Sequence, residues 1–137
     1  MEEYLKSLSE KAILSMIFDY YAAKRYWIRR NNTGAHQLHN SEGKSRIVRY
    51  GVKGSGDLLM AIPIFGLPLI GYIECKRYGK KQTPAQEDFQ IDCERNNIFY
   101  VVASSVEDVE KARIAYVEKM TQKVLANLST VQAPQAL

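Results

Sequence analysis

Apolar residues at Leu8, Ala12, Ile13, Met16, Ile17 and Tyr20 recur at helical spacing and predict a helix over residues 8–23. Ser7 with Glu10 three residues later can form a capping box, and Ser9 can serve as a plain N-cap instead. The helical period then disappears. Residues 25–31 (RYWIRRN) read as extended, a polar loop follows through Asn32, Gly34 and Gly43, and a short strand at Ile47 to Tyr50 leads into Gly51. Two β-rich runs, 57–64 (DLLMAIPI) and 69–76 (LIGYIECK), flank Phe65-Gly66-Leu67-Pro68 and predict a hairpin. Pro63 cannot donate to a ladder, so it predicts a sheet edge or a bulge. Thr83 as N-cap with Pro84 at the first helical position opens a helix that runs to about Arg95 and stops at Asn96-Asn97. Residues 98–104 (IFYVVAS) form an apolar strand, and Ser105 caps a last helix carrying Val109, Ala112, Tyr116, Met120 and Val124. No repeat, low-complexity block or linker interrupts the pattern. It predicts one domain over residues 1–128, with a flexible C-terminal tail over 129–137. Helix, strands, helix, strand and helix in that order make an α/β protein, a mixed sheet flanked by helices.

Composition narrows the class. A chain of 137 residues, 46% hydrophobic and 25% charged, can bury a core of its own. Cys75 and Cys93 are too few for a disulfide framework and fit reduced thiols in a cytoplasmic protein. No signal peptide is evident, and the long apolar stretch from Leu58 to Ile73 is broken by Pro63, Gly66, Pro68 and Gly71, which excludes a membrane helix. The net charge is only +4, but residues 24–81 hold twelve Lys or Arg against Glu42, Asp57 and Glu74, while the flanks are acidic. A basic middle suits a polyanion, because each cation that meets a phosphate releases counterions.

The acids inside that basic segment carry the candidate chemistry. With a loop of two residues (Gly66-Leu67) or four (Phe65 to Pro68), Asp57 faces Lys76 and Leu59 faces Glu74. Alternation then projects Asp57, Glu74 and Lys76 from one sheet face, whereas an odd loop would separate Glu74 from Asp57. Two carboxylates are hard oxygen ligands suited to Mg²⁺ or Mn²⁺ beside a phosphate, and an ammonium there can stabilise charge on that phosphate. Gly54-Ser55-Gly56 lets the backbone turn tightly before Asp57. His36 and His39, without acid or Cys partners, read as solvent-exposed loop residues. Arg25, Arg29 and Arg30, interleaved with Tyr26 and Trp27, form a nucleic-acid face, part of which serves core packing or a dimer contact. Lys44, Arg46, Arg49, Lys53, Arg77, Lys80 and Lys81 read as phosphate contacts, since nothing here looks like a recognition helix.

Four segments in order resemble a known family. Asn32-Thr33-Gly34, Gly54-Ser55-Gly56-Asp57, Glu74-Cys75-Lys76 and Thr83-Pro84-Ala85-Gln86 are similar to the motifs of the VRR-NUC branch of the PD-(D/E)XK nuclease superfamily, across roughly residues 10–102. The resemblance implies a restriction-endonuclease-like αβββαβ core with a C-terminal helix added. It implies Glu10, Asp57, Glu74 and the Cys75 carbonyl as metal ligands, Lys76 as the catalytic lysine, Gln86 beside the metal or scissile phosphate, and Asn32 among the DNA-binding residues. Gln86 is also the residue a Thr83 capping box would select, and Glu10 is also an ordinary first-turn acid. The chain departs from the family where Gly56, rather than Pro, precedes the aspartate. The implied activity is a Mg²⁺- or Mn²⁺-dependent endonuclease acting on branched DNA as a homodimer, similar to Holliday-junction resolvases. Rival expectations are a restriction- or replication-linked nuclease of the same fold, or a DNA-binding protein that keeps the fold without catalysis.

Overall fold

A computed structural model describes residues 1–130. Helix α1 (Glu2–Ser7) buries no side chain, which is why no apolar stripe marks it in the sequence. Helix α2 (Glu10–Ala23) starts two residues later than its spacing predicts. Ser9 is the N-cap, its hydroxyl accepting the Ala12 N–H at 3.1 Å, and no Ser7 capping box forms because the Ser7 hydroxyl donates to the Tyr4 carbonyl. Its buried face is Ile13, Ile17 and Tyr21.

Strand β1 (Ile28–Arg30) is shorter than the extended stretch expected over 25–31. The cause is the end of α2: Arg25 takes φ 63°, its N–H reaches the Ala22 carbonyl and the Tyr26 N–H reaches the Tyr21 carbonyl. That pair of bonds is a Schellman motif with arginine where glycine is usual. The strand expected at Ile47 to Tyr50 is present as β3 (Ser45–Tyr50), but part of the polar loop expected before it is strand β2 (Gly34–His39), which pairs with β3 from Gly34 with Tyr50 to His39 with Ser45. His36 and His39 therefore lie on a strand, exposed as expected but not in a loop.

The main sheet runs β1-β4-β5-β6. Strands β4 (Leu58–Ile64) and β5 (Leu67–Cys75) pair antiparallel through a tight turn at Phe65-Gly66, with φ of 50° and 76°. Two positive φ values in a two-residue loop make a type I′ turn, whose twist matches that of the strands. β1 pairs with β4 only as far as Met60, followed by one bond from the Ala61 N–H to the Trp27 carbonyl. Pro63 thus stands where β4 is itself the sheet edge, opposite Pro68. Helix α3 (Pro84–Arg95) crosses over to β6 (Phe99–Ala103), which lies parallel to β5.

Helix α4 (Val106–Thr130) follows, with the Asp108 N–H on the Ser105 hydroxyl. Ser129 and Thr130, expected in the tail, close this helix; the remaining tail residues, 131–137, lie outside the described residues.

Alternation along β4 sends Leu58, Met60, Ile62 and Ile64 into a core shared with α2, α4 and Ile73, Phe99 and Val101. Each such side chain stabilises the fold by about 1.5–3 kcal/mol on burial. The opposite face carries Tyr72 and Tyr100, against which Phe89 of α3 packs. The two faces are thus assigned different work: α2 and α4 seal one, and α3 covers part of the other.

Candidate active site

The observed register shifts the predicted pairing without changing its parity. Leu58 pairs with Ile73 and Leu59 with Tyr72, not with Glu74, because the turn uses Phe65-Gly66. The ladder ends at Leu58, and Asp57 just before it is bonded through its N–H to the Ile73 carbonyl and through its carboxylate to the Cys75 N–H, so it flanks Glu74 rather than facing Lys76. Since the loop is even, Asp57, Glu74 and Lys76 share the face that α3 covers.

Asp57 is held from several sides. Its N–H donates to the Ile73 carbonyl at 2.8 Å, its carbonyl accepts the Asn31 N–H at 2.9 Å, and its Oδ2 accepts the Cys75 N–H at 2.7 Å. Along a strand a residue's N–H and C=O point to the same edge, so the Cys75 carbonyl is on Asp57's side of β5. The Cys75 thiol is buried in the core, and burial with the nearby carboxylates drives its pKa well above the thiol range. Only the main chain of Cys75 is therefore available as a ligand.

Glu74 is 4% exposed. The Lys76 ammonium lies 3.4 Å from its Oε1, and the Gln86 side-chain amide donates to the same oxygen. Gln86 both caps α3 and reaches Glu74. Its Oε1 accepts the Thr83 N–H at 2.8 Å, completing the capping box, while its NH₂ group holds Glu74. One amide thereby fixes the N-terminus of α3 to the acid.

Charge at this site is not balanced from within. Burial first, and then the Asp57 charge, push Glu74 up to about 7, against the opposing pull of Lys76. Asp57 is also raised, by burial and by Glu10, although the Cys75 N–H and Lys76 lower it. Glu10 stands exposed on the first turn of α2, where its charge is felt by both acids. Among the described residues, however, no three His, Cys, Asp or Glu side chains gather closely enough to hold a metal together. Structure thus unites Asp57, Glu74, Lys76 and Gln86, and leaves Glu10 as an outlying charge.

Two groups here, Asn31 and Tyr100, were not singled out by sequence. Asn31, not its neighbour Asn32, clamps the loop before Asp57: its Nδ2 donates to Ser55 Oγ at 2.8 Å and to the Gly56 carbonyl at 3.0 Å. Ser55 is itself buried. Tyr100, on the neighbouring strand, carries a buried hydroxyl with no hydrogen-bond partner among the described residues. Burial and the Glu74 charge push that phenol up to about 12. An asparagine, with two amide donors, is suited to hold such a loop, but only the fold brings Asn31 to Ser55 and Gly56.

The loop itself requires glycine. Gly54 and Gly56 have φ of 84° and 85°, and a Cβ at Gly54 would come within 2.2 Å of the Ala85 carbonyl oxygen. The approach to Asp57 is thus pressed against the start of α3. Of the predicted cations, Arg25, Arg29, Arg30, Arg77, Lys80 and Lys81 are exposed in the described surface. Arg29 lies over the Trp27 ring at 5.3 Å, while Ile28 between them is buried, so this stretch does divide into an outer face and a core face. Asn32 is exposed, and Lys44, Arg46 and Lys53 are exposed on or at the foot of the β2–β3 hairpin.

Comparison with known proteins adds no relative: no protein-family model, curated protein or solved structure matches the chain. No helix among the described residues is long and apolar enough to cross a membrane.

Proposed function

We propose that this protein is a divalent-metal-dependent, structure-specific endodeoxyribonuclease with a restriction-endonuclease-like core of the PD-(D/E)XK type, cutting branched DNA as a homodimer in the cytoplasm. The observation that carries the reading is the Asp57 carboxylate bonded to the Cys75 N–H beside buried Glu74, with the Lys76 ammonium 3.4 Å from Glu74. A fold gains nothing from two poorly neutralised acids in a half-covered site. A dication gains from them.

The donor set fits Mg²⁺ or Mn²⁺. Such ions take one or two carboxylates and leave other positions to water and phosphate, so a cluster of three ligating side chains is not required. Asp57, Glu74 and the Cys75 carbonyl would hold the ion, with Glu10 adding long-range attraction. When bound, a cation of this kind polarises a phosphate and lowers the pKa of water. Lys76 would place positive charge beside the phosphate as it gains negative charge, and Gln86 keeps the Glu74 oxygen aimed. The exposed cations on either side of the site, Arg30 and Lys53 before it and Arg77, Lys80 and Lys81 after it, are suited to backbone phosphates.

The test is cleavage of linear duplex, flap and four-way junction DNA at one salt concentration with Mg²⁺ or Mn²⁺. Wild type should cut the junction fastest, and Lys76→Ala should abolish the activity while still binding DNA. Binding without cleavage in the wild type would favour a non-catalytic DNA-binding protein. Equal rates on all three substrates would leave a nuclease but remove the junction preference.

A further inference from the structure

The β2–β3 hairpin is built unlike the rest of the protein. Every residue of β2 is exposed, and in β3 only Val48 is half-buried. Its extensive contacts are between its own two strands. A lone two-stranded hairpin is marginal in water, so its order has to come from its ends or from a partner. The ends are firmly fixed: Asn31 is bonded to Ser55 and Gly56, and Gly54 is pressed on Ala85. Near the foot, the Tyr50 ring stacks on His36 at 5.1 Å and lies where a Cβ on Gly34 would meet it. Beyond that point the ribbon projects by about 3.3 Å per residue, with its residues exposed apart from half-buried Val48 and no other described element packed extensively along it.

Its charge is one-sided in sign and spread in space. Residues 34–53 carry Lys44, Arg46, Arg49 and Lys53 against Glu42 alone. Lys44 and Glu42 approach only to 3.9 Å, both highly exposed, which is worth little. Among the described residues Arg46, Arg49 and Lys53 make no ion pair. Register puts Arg46 opposite Leu38 on one face and Arg49 opposite Ala35 on the other, with Lys44 at the tip and Lys53 at the foot. A protein partner laid on one face would leave the cation on the other unused. A groove walled by phosphates on both sides would use all of them, and the major groove of B-DNA, about 12 Å wide, admits a two-stranded ribbon.

Resting on the nuclease reading for the identity of the polyanion, we propose that β2–β3 is an arm that enters the major groove of duplex DNA beside the site at Asp57, its cations meeting phosphates on both groove walls. Both feet adjoin that site, since the loop leaving the arm runs through Gly54 to Asp57 and the Asn31 N–H bonds the Asp57 carbonyl. The arm supplies affinity and placement, and the chemistry stays with Asp57, Glu74 and Lys76.

The full chain and its Arg46→Ala/Arg49→Ala variant should be titrated onto a mixed-sequence linear duplex in EDTA, by fluorescence anisotropy over a series of KCl concentrations. Both residues are exposed, so folding should be unaffected. The slope of log K against log salt should become shallower by about 2, at about 0.9 per lost phosphate contact, and Kd should rise at least about tenfold at moderate salt. Arg46→Lys/Arg49→Lys should restore the slope, which a packing role would not predict. An unchanged slope and Kd would overturn the arm. So would an altered oligomeric state with an unchanged slope, which would assign the ribbon to self-association. Arm-dependent binding in a wild type that cuts no DNA with Mg²⁺ or Mn²⁺ would keep the arm and sink the nuclease. Cleavage that Lys76→Ala abolishes, with an arm-independent slope, would do the reverse.

Discussion

On one side of the main sheet, between α2 and α4, Glu110 accepts from Arg113 at 2.9 and 3.0 Å and from the Tyr21 hydroxyl at 2.6 Å. On the other side Glu74 has Lys76 at 3.4 Å, Gln86, and a second acid, Asp57, bonded to the N–H of the next residue, Cys75. The first carboxylate is lowered to about 2, chiefly by its Arg113 bonds and helped by the Tyr21 hydroxyl, whereas the second is raised to about 7 by burial and by Asp57. Both are carboxylates beside a cation. What differs is whether the protein itself completes the partners. Glu110 is part of the structure's own cohesion, and Glu74 ionises only at a cost that an added positive charge would offset.

That contrast can be broken most sharply at Asp57. Asp57→Asn should retain an acceptor for the Cys75 N–H while removing one of the two acids. Cleavage should fall by about a hundred- to thousandfold, the scale of losing one electrostatic stabiliser, while the melting temperature holds or rises. A variant that lost stability and kept its rate would place Asp57 with Glu110 as a structural acid.

Cation binding comes next. Mn²⁺ at about a hundred times its dissociation constant should stabilise the wild type by about 2.7 kcal/mol in thermal melts, and Asp57→Asn should lose most of that gain. Equal stabilisation of both proteins would show that the ion sits elsewhere.

Glu110→Ala should act in the opposite sense. It strands the Tyr21 hydroxyl and Arg113 and should cost roughly 1–3 kcal/mol, with cleavage per folded molecule unchanged. Chemical denaturation set beside the rate separates the two effects.

The smallest effect is in the pH profile of the metal-free protein. Glu74 has its folded pKa above its ordinary 4.5, so its ionisation opposes folding, and stability should decline as pH rises from 4.5 towards 7. Glu110 has its folded pKa below 4.5, so its contribution is complete above that value and is lost as pH falls towards 2. A profile without the upper decline would mean that Glu74 is better compensated than its surroundings indicate.

Much of this was legible in the residue pattern, for identifiable reasons. Thr83-Pro84 with Gln86 specifies a helix start by local bonding alone, and it forms as expected. The shared face of Asp57 and Glu74 needed only an even loop, whereas the register of β4 on β5 needed the turn position. Phe65 at φ 50° is a bulky residue in a conformation that turn chemistry assigns to Gly, Asn or Asp, so the sequence pointed one residue too far along. Of the β2–β3 hairpin the sequence shows only the second strand, from Ile47, and not β2, because strand alternation records burial on one face and β2 buries neither. Asn31 and Asn32 differ only in which of them faces the Ser55 loop, a matter of backbone direction that composition does not encode.

The two cysteines have a practical consequence. Both thiols are buried, and burial raises both, Cys93 to about 11. Neither should react readily with maleimides at neutral pH. A cysteine introduced at exposed Gln37 would then be the preferred labelling position, so a single dye there could report ribbon movement without first removing the native thiols.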